Sequence, residues 1–128
     1  MRLLLDTNVA LWAIVDDERL GHRAAHLIAD RSNAVWVSVA SLWEIAIKHA
    51  LRPGEMPVDA QSARRYFDRA GYRTIGIRAE HVVRIERLPP IHRDPFDRVL
   101  VAQALEEGFH LLTRDSVLPD YTDLVVPV

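Results

Sequence analysis

Residues 3–8 read Leu3-Leu4-Leu5-Asp6-Thr7-Asn8, a short apolar run that ends at a carboxylate. Three consecutive leucines are typical of a strand that is buried on both faces of a sheet. The apolar residues at 9–15 that follow have the character of a helix. The stretch therefore predicts a strand whose C-terminal end places Asp6 at the edge of the sheet.

The same alternation of strand and helix continues along the chain. We predict strands at residues 3–5, 35–39, 74–77, 110–113 and 124–126, and helices at 9–15, 40–51, 59–70, 79–88 and 95–107. The helix at 95–107 has the clearest ends, because Asp94 suits its N-cap, Pro95 its first position and Gly108 the position after its end. Short apolar strands that alternate with helices favour a parallel α/β sheet covered on both faces.

The composition limits the class of protein. A chain of 128 residues fits one domain, residues 1–128, and its 49% hydrophobic and 27% charged residues are ordinary for a globular protein. The absence of cysteine excludes disulfides and thiolate metal sites. No stretch approaches the roughly 20 apolar residues that cross a bilayer, and the apolar N-terminal run is too short for a signal peptide. We therefore expect a cytoplasmic protein with no membrane partner.

Four acidic residues lie where predicted strands end or predicted helices begin, which is the same edge of the sheet. Asp6 directly follows the first strand, and Asp115 follows the strand at 110–113. Glu44 and Asp97 lie near the start of helices, which begin at the same edge. Ligands of parallel α/β sheets bind outside the carboxyl ends of the strands. We therefore expect these four carboxylates to converge, although each also has a local alternative.

The alternatives are helix caps, ion pairs and turns. Asp6 fits a cap of the first helix, Glu44 an i,i+4 pair with Lys48, and Asp97 a contribution to the cap made by Asp94. Asp115 fits the start of a turn. None of these local roles requires four elements to direct carboxylates to one point.

A shared divalent cation would relieve the repulsion among four clustered carboxylates. We expect no histidine among these four residues, and an all-oxygen site suits Mg²⁺, or Mn²⁺ in its place, rather than Zn²⁺. Such a cation activates water for phosphodiester hydrolysis. The sequence therefore favours a metal-dependent nuclease.

Four stretches in this order resemble the motifs of the PIN-domain family, and more specifically of the VapC-type toxins of bacterial toxin–antitoxin pairs. The stretches are Leu3-Leu4-Leu5-Asp6-Thr7-Asn8, Ser38-Val39-Ala40-Ser41-Leu42-Trp43-Glu44-Ile45, His92-Arg93-Asp94-Pro95-Phe96-Asp97-Arg98 with Val101-Ala102-Gln103-Ala104, and Leu111-Leu112-Thr113-Arg114-Asp115. The resemblance extends over nearly the whole chain.

The resemblance implies a Rossmann-like three-layer α/β/α sandwich with a mainly parallel sheet. It also implies an endoribonuclease that uses Mg²⁺ or Mn²⁺, with Asp6 and Asp97 as principal metal ligands and Glu44 and Asp115 completing the catalytic cluster. The expected polar residues around these carboxylates are Thr7, Asn8, Ser38 and Thr113. Arg98 is expected either to contact phosphate, to pair with Glu106 or to be solvated.

The resemblance further implies an RNA substrate and two protein partners, a second copy of the chain in a homodimer and a cognate antitoxin. Three other functions remain open at this point. They are a structure-specific DNA nuclease, a non-catalytic module that binds RNA or a partner, and a phosphatase of the haloacid dehalogenase type. The phosphatase typically has a second aspartate two residues after the first, where this chain has Asn8.

Overall fold

Five strands and six α-helices alternate along the chain, and the computed structural model describes residues 1–128. The strands are β1 (Arg2–Leu5), β2 (Ala34–Ser38), β3 (Arg73–Ile75), β4 (His110–Thr113) and β5 (Val125–Pro127). The α-helices are α1 (Thr7–Ile14), α2 (Gly21–Ala29), α3 (Val39–Leu51), α4 (Ala60–Arg69), α5 (Ala79–Arg87) and α6 (Pro95–Glu107). None of these helices has both the length and the apolar character needed to span a membrane.

All five strands are parallel and lie in the order β3-β2-β1-β4-β5. From β1 the chain builds β2 and β3 on one side and then crosses to build β4 and β5 on the other. The direction of winding therefore reverses between β1 and β4, which pair with Leu5 opposite Leu112. At such a reversal the connecting segments diverge and leave a crevice at the carboxyl ends of the strands.

The sheet has a separate apolar core on each face. Leu3 and Leu5 point to one face, where they join a buried cluster that includes Phe67 of α4. Leu4 points to the opposite face and joins Leu100 of α6. Because successive residues of a strand alternate between faces, a run of three leucines contributes to both cores. This arrangement confirms the three-layer α/β/α fold expected from the sequence.

The ends of the predicted elements lie within about two residues of the observed ends, whereas one helix was not predicted at all. Helix α2 was not predicted, because its only fully buried residue is Ala24 and it has no side-chain N-cap, so the local signals are weak. Strand β3 starts earlier than predicted and ends at Ile75, one residue before Gly76. The Gly76 carbonyl accepts a hydrogen bond from Gln103 Nε2 at 3.2 Å rather than extending the ladder.

Candidate active site

Four acidic side chains reach the crevice from four different elements. Asp6 follows β1 and caps α1, since its Oδ1 accepts a hydrogen bond from the Val9 backbone N–H at 2.8 Å. Glu44 lies in the second turn of α3, and Asp97 in the first turn of α6. Asp115 lies in the loop two residues after the end of β4. The sheet topology thus places all four at the carboxyl ends of β1 and β4.

Burial and neighbouring carboxylates act together on the pKa values of Asp97 and Asp6. Burial raises the pKa of Asp97 to about 7, and the charges of Asp94, Asp6 and Glu44 add to this rise. Burial likewise raises the pKa of Asp6, with further contributions from Glu44 and Asp115. Each of these two groups is therefore costly to ionise in the metal-free protein.

Thr113 links the two strand ends. Its hydroxyl donates a hydrogen bond to Oδ2 of Asp6, and its Oγ1 accepts one from the backbone N–H of Asp115 at 3.0 Å. Thr113 is fully buried, so water does not compete for these bonds. The orientation of Asp6 is therefore fixed on both oxygens, by Val9 on one side and Thr113 on the other.

Glu44 forms the predicted i,i+4 pair with Lys48, whose Nζ lies 2.5 Å from Oε2. The Glu44 side chain is only 8% exposed, whereas that of Lys48 is 54% exposed. Lys48 is the one lysine of the chain and brings a single positive charge to the rim of the acidic crevice. The pair and the carboxylate cluster are therefore compatible roles for Glu44.

A histidine does lie among the carboxylates, so the expectation that none would is wrong. His92 Nε2 is 3.0 Å from Oδ2 of Asp115 and 3.5 Å from Oδ2 of Asp97. One potential ligand atom from each of these three residues lies within 4.8 Å of the other two. Sequence reasoning assigned no role to His92, because its place at the site depends on the course of the loop before α6.

The pKa of Asp115 is shifted in the opposite direction to that of Asp97. Although burial acts to raise the pKa of Asp115, hydrogen bonds from the Val117 backbone N–H and from His92 outweigh that effect and lower it. Asp115 is therefore ionised more readily than Asp6 and Asp97, whose pKa values are raised.

Asp94 caps α6, as the sequence suggested. Its Oδ1 accepts hydrogen bonds from the backbone N–H groups of Phe96 at 2.8 Å and Asp97 at 3.1 Å. This cap fixes the first turn of the helix, which carries Asp97 to the crevice.

Thr113 is the only one of the four predicted polar neighbours whose side chain hydrogen-bonds to a cluster carboxylate. The Thr7 hydroxyl instead donates to Ser41 Oγ at 2.9 Å. Ser38 caps α3, because its Oγ accepts from the Ala40 backbone N–H at 3.0 Å. Asn8 is exposed.

Arg98 is turned away from the carboxylates. Its Nη2 donates to the Ile85 carbonyl at 3.0 Å, and its Nη1 donates to the Tyr121 hydroxyl at 3.1 Å. The alternative pair with Glu106 is also absent, since Glu106 binds Arg84 at 2.6 Å. Its Nη1 also donates to the Pro89 carbonyl at 3.0 Å, so the guanidinium holds the loop before α6 and is not free to contact a substrate phosphate.

The donor set suits a hard divalent cation. Four carboxylates supply oxygen ligands. Burial and the neighbouring carboxylates raise the pKa values of Asp6 and Asp97, and a bound cation would favour the ionised form of both. His92 would add a nitrogen ligand only if its ring presents a lone pair to the cation. If the ring presents a proton instead, all ligands of the site are oxygens.

Comparisons with known proteins agree with this fold. Ribonuclease VapC22 of Mycobacterium tuberculosis is 28% identical over 117 residues, which cover 91% of this chain and 88% of that protein. The crystal structure of VapBC2 from Rickettsia felis, bound to a DNA fragment from its promoter, aligns with a TM-score of 0.70 at 16% identity, covering 98% of this chain and 96% of that chain.

A second solved structure, Mycobacterium tuberculosis VapC20, described as a sarcin-ricin loop cleaving toxin, aligns with a TM-score of 0.65 at 18% identity. The alignment covers 98% of this chain and 99% of that one. At these identities the two structures show the shared fold alone. The family model described as PIN domain matches residues 3–124, nearly the whole chain. The protein therefore belongs to the PIN-domain family.

Proposed function

We propose that this chain is a single PIN domain, residues 1–128, that acts as a Mg²⁺-dependent endoribonuclease and as the toxin of a VapBC-type toxin–antitoxin pair. The observation that carries the proposal is the convergence of Asp6, Glu44, Asp97 and Asp115 from four elements on one crevice. Burial there, together with the charges of Asp94, Asp6 and Glu44, raises the pKa of Asp97 to about 7. The resemblance to a ribonuclease over 91% of the chain supports the substrate class.

Asp6 and Asp97 are the proposed principal ligands of Mg²⁺, for which Mn²⁺ would substitute, and Glu44 and Asp115 complete the set. When bound, the cation supplies charge neutralisation, polarisation of the scissile phosphate and activation of a water molecule. The family membership and the all-carboxylate cluster support this assignment.

The remaining tasks belong to the chain itself. Thr113 and the Val9 backbone N–H hold the Asp6 carboxylate in one orientation before substrate arrives. Lys48 binds Oε2 of Glu44, which leaves Oε1 either for the cation or for a proton of the attacking water. Positioning of this kind lowers the barrier because the groups need not reorganise during the reaction.

An apolar stripe on α3 supports the proposed protein partners. Its members are spaced by four residues, which places them on one face of the helix. They are Val39, Trp43, Ile47 and Leu51, all exposed, with Trp43 at 55% and Leu51 at 75%. An exposed stripe of this kind is typical of a protein interface. We propose that a cognate antitoxin and a second copy of the chain cover apolar surfaces of this domain, and that it acts in the cytoplasm, where RNA is available.

The test is cleavage of labelled RNA by the purified protein in Mg²⁺. We expect wild type to cleave single-stranded RNA, Asp97→Asn to bind but not cleave it, and the exposed-site control Asp68→Asn to behave as wild type. The same variants expressed in cells report toxicity, which Asp97→Asn should abolish.

Two outcomes would contradict the proposal. Cleavage of DNA flaps with intact RNA would identify a structure-specific DNA nuclease. RNA binding by wild type and Asp97→Asn alike, with cleavage by neither, would identify a non-catalytic module.

A further inference from the structure

We propose that His92 is a positioning residue of this site. Its Nε2–H holds the Asp115 carboxylate in the crevice, and its ring is not a metal ligand. The inference rests on the proposed function, because it takes Asp115 to be a ligand of the cation.

The protonation of His92 follows from one backbone hydrogen bond. The backbone N–H of Asp94 donates to Nδ1 of His92 at 3.0 Å. A backbone N–H can only donate, so Nδ1 must offer a lone pair and carry no proton. In the neutral ring the proton is then on Nε2.

That proton is directed at a carboxylate. Nε2 is 3.0 Å from Oδ2 of Asp115, within hydrogen-bonding distance, and 3.5 Å from Oδ2 of Asp97, which is too long for a good hydrogen bond. His92 thus donates to Asp115 and leaves Oδ2 of Asp97 unconstrained by this ring.

Asp115 needs such a partner because it lies in a loop. Its Oδ1 accepts from the backbone N–H groups of Val117 at 2.7 Å and Leu118 at 3.3 Å, which form a turn of the same loop. The one bond from another part of the chain to its carboxylate comes from His92 to Oδ2. Through Asp94, His92 is joined to the first turn of α6, which also carries Asp97. The ring therefore sets the position of Asp115 relative to Asp97.

This arrangement also decides the ligand chemistry of the site. A histidine that ligates a metal presents a ring lone pair to it, whereas His92 presents a proton on the nitrogen that faces the cluster and uses its lone pair on the Asp94 backbone. The cation then meets carboxylate oxygens and no ring nitrogen, which favours Mg²⁺ or Mn²⁺ over Zn²⁺.

Two substitutions separate the bonds made by the ring. His92→Gln places an amide N–H where Nε2 stands and can still donate to Asp115. His92→Asn places an amide oxygen where Nδ1 stands, can still accept from Asp94, and cannot reach Asp115. A purely structural role at the start of α6 would be rescued by Asn, whereas the positioning role is rescued by Gln.

The chain provides a matched control in His81. The Arg78 backbone N–H donates to Nδ1 of His81 at 3.0 Å, and its Nε2 lies 3.0 Å from Oε1 of Glu107, away from the acidic crevice. His81 thus has the same bonding pattern at a place without the cluster. His81→Gln should leave cation binding unchanged.

The experiment has two measurements on the intact chain. The first is a ¹⁵N–¹H correlation spectrum of the imidazole rings in the metal-free protein at mildly alkaline pH, with His81 as internal reference. We expect a protonated Nε2 and an unprotonated Nδ1 for His92. A proton on Nδ1 would overturn the proposal.

The second measurement is a calorimetric titration with Mn²⁺ alone. We expect His92→Gln and His81→Gln to bind like wild type and His92→Asn to bind ~10–100-fold more weakly, the usual effect of losing a residue that orients a ligand. Equal losses in His92→Gln and His92→Asn, or no loss in either, would overturn the proposal. Failure of wild type to bind Mn²⁺ would instead overturn the proposed function, and the spectrum would still report whether His92 donates to Asp115.

Discussion

The hydroxyl of Thr113, at the end of β4, donates a hydrogen bond to Oδ2 of Asp6, at the end of β1. The two strands are neighbours in the sheet, but the residues are 107 positions apart in the chain. The same hydroxyl oxygen accepts the backbone N–H of Asp115. One buried threonine thereby fixes the relative positions of two acidic residues at the winding reversal of the sheet.

Replacing this threonine tests the link. Thr113→Val keeps the shape of the side chain and removes both hydrogen bonds. We expect Mn²⁺ affinity to fall ~10–100-fold. The free energy of unfolding should fall by about 1–3 kcal/mol, because buried polar groups lose their partner. Thr113→Ser retains the hydroxyl and should retain most of the Mn²⁺ affinity. Calorimetric titration and urea unfolding measure the two effects. Unchanged Mn²⁺ binding in Thr113→Val would show that Asp6 does not depend on this hydroxyl.

Asp97 should make the metal-free protein less stable as pH rises. Its pKa is raised by burial from 3.8 to about 7 in the folded chain, so between these values the folded state binds a proton that the unfolded state has released. The stabilisation is therefore complete below pH 3.8 and is lost as pH rises through about 7. We expect a contribution of at most ~1.4 kcal/mol per pH unit over this interval.

The variant Asp97→Asn isolates this contribution. Urea unfolding of both proteins across that interval, without divalent cations, should show that the difference in stability between the variant and wild type grows with pH. A difference in stability that is constant with pH would mean that the pKa of Asp97 is the same in the folded and unfolded protein. Asp97 must lose its proton to bind a cation, so Mn²⁺ affinity of wild type should increase with pH over the same interval.

Lys48 should stabilise the metal-free state and weaken cation binding. Lys48→Met removes the positive charge 2.5 Å from Glu44, so we expect the metal-free protein to lose about 1 kcal/mol, a modest value because Lys48 is half exposed. Mn²⁺ should then bind a few-fold more tightly, since one competing charge is gone.

The control for Lys48 is the exposed pair of Arg52 and Glu55, whose atoms are 3.5 Å apart. Arg52→Met should change neither stability nor Mn²⁺ affinity measurably. If Lys48→Met weakened Mn²⁺ binding, Lys48 would have a role in assembling the site rather than in balancing its charge.

Asp94 caps α6 and also places a negative charge near Asp97, and two variants separate these two effects. Asp94→Asn keeps an acceptor for the Phe96 N–H, so the stability of the protein should change little. It removes the charge, so the pKa of Asp97 should fall, because Asp94 is the largest charged contributor to the raised pKa of Asp97. Asp94→Ala loses both and should cost about 1 kcal/mol of stability. Chemical unfolding and carboxyl ¹³C titration measure these effects. An unchanged Asp97 pKa in Asp94→Asn would contradict the electrostatic account.

The elements that support the site were predictable because their signals are local. The leucine run marks β1, which ends directly before Asp6, and the Asp94, Pro95 and Gly108 signals mark the two ends of α6, which carries Asp97. The alternation of strands and helices predicts a parallel sheet and the edge at which it binds ligands, but it does not predict the order of the strands. Helix α2 was not predictable in this way, since it is amphipathic but buries only Ala24 and begins at Gly21 without a side-chain cap.

The cluster could be anticipated from the sequence, and so could Thr113 and Lys48 as its neighbours, but the place of His92 could not. Four acidic residues at predicted strand and helix ends indicate convergence without knowledge of contacts. The role of His92 depends on a backbone N–H of a loop residue, and that of Thr113 depends on the pairing of β1 with β4. Arg98 shows the reverse case, where a residue next to Asp97 in sequence donates to the Ile85 carbonyl in α5 and to none of the cluster carboxylates.

The central claim is that Asp6, Glu44, Asp97 and Asp115 share a divalent cation. The most direct measurement is anomalous X-ray scattering from a crystal soaked in Mn²⁺. We predict an anomalous peak between the carboxylates of Asp6 and Asp97 that is lost in Asp97→Asn. An occupied Mn²⁺ site elsewhere, or none at these oxygens in the wild-type crystal, would contradict the account.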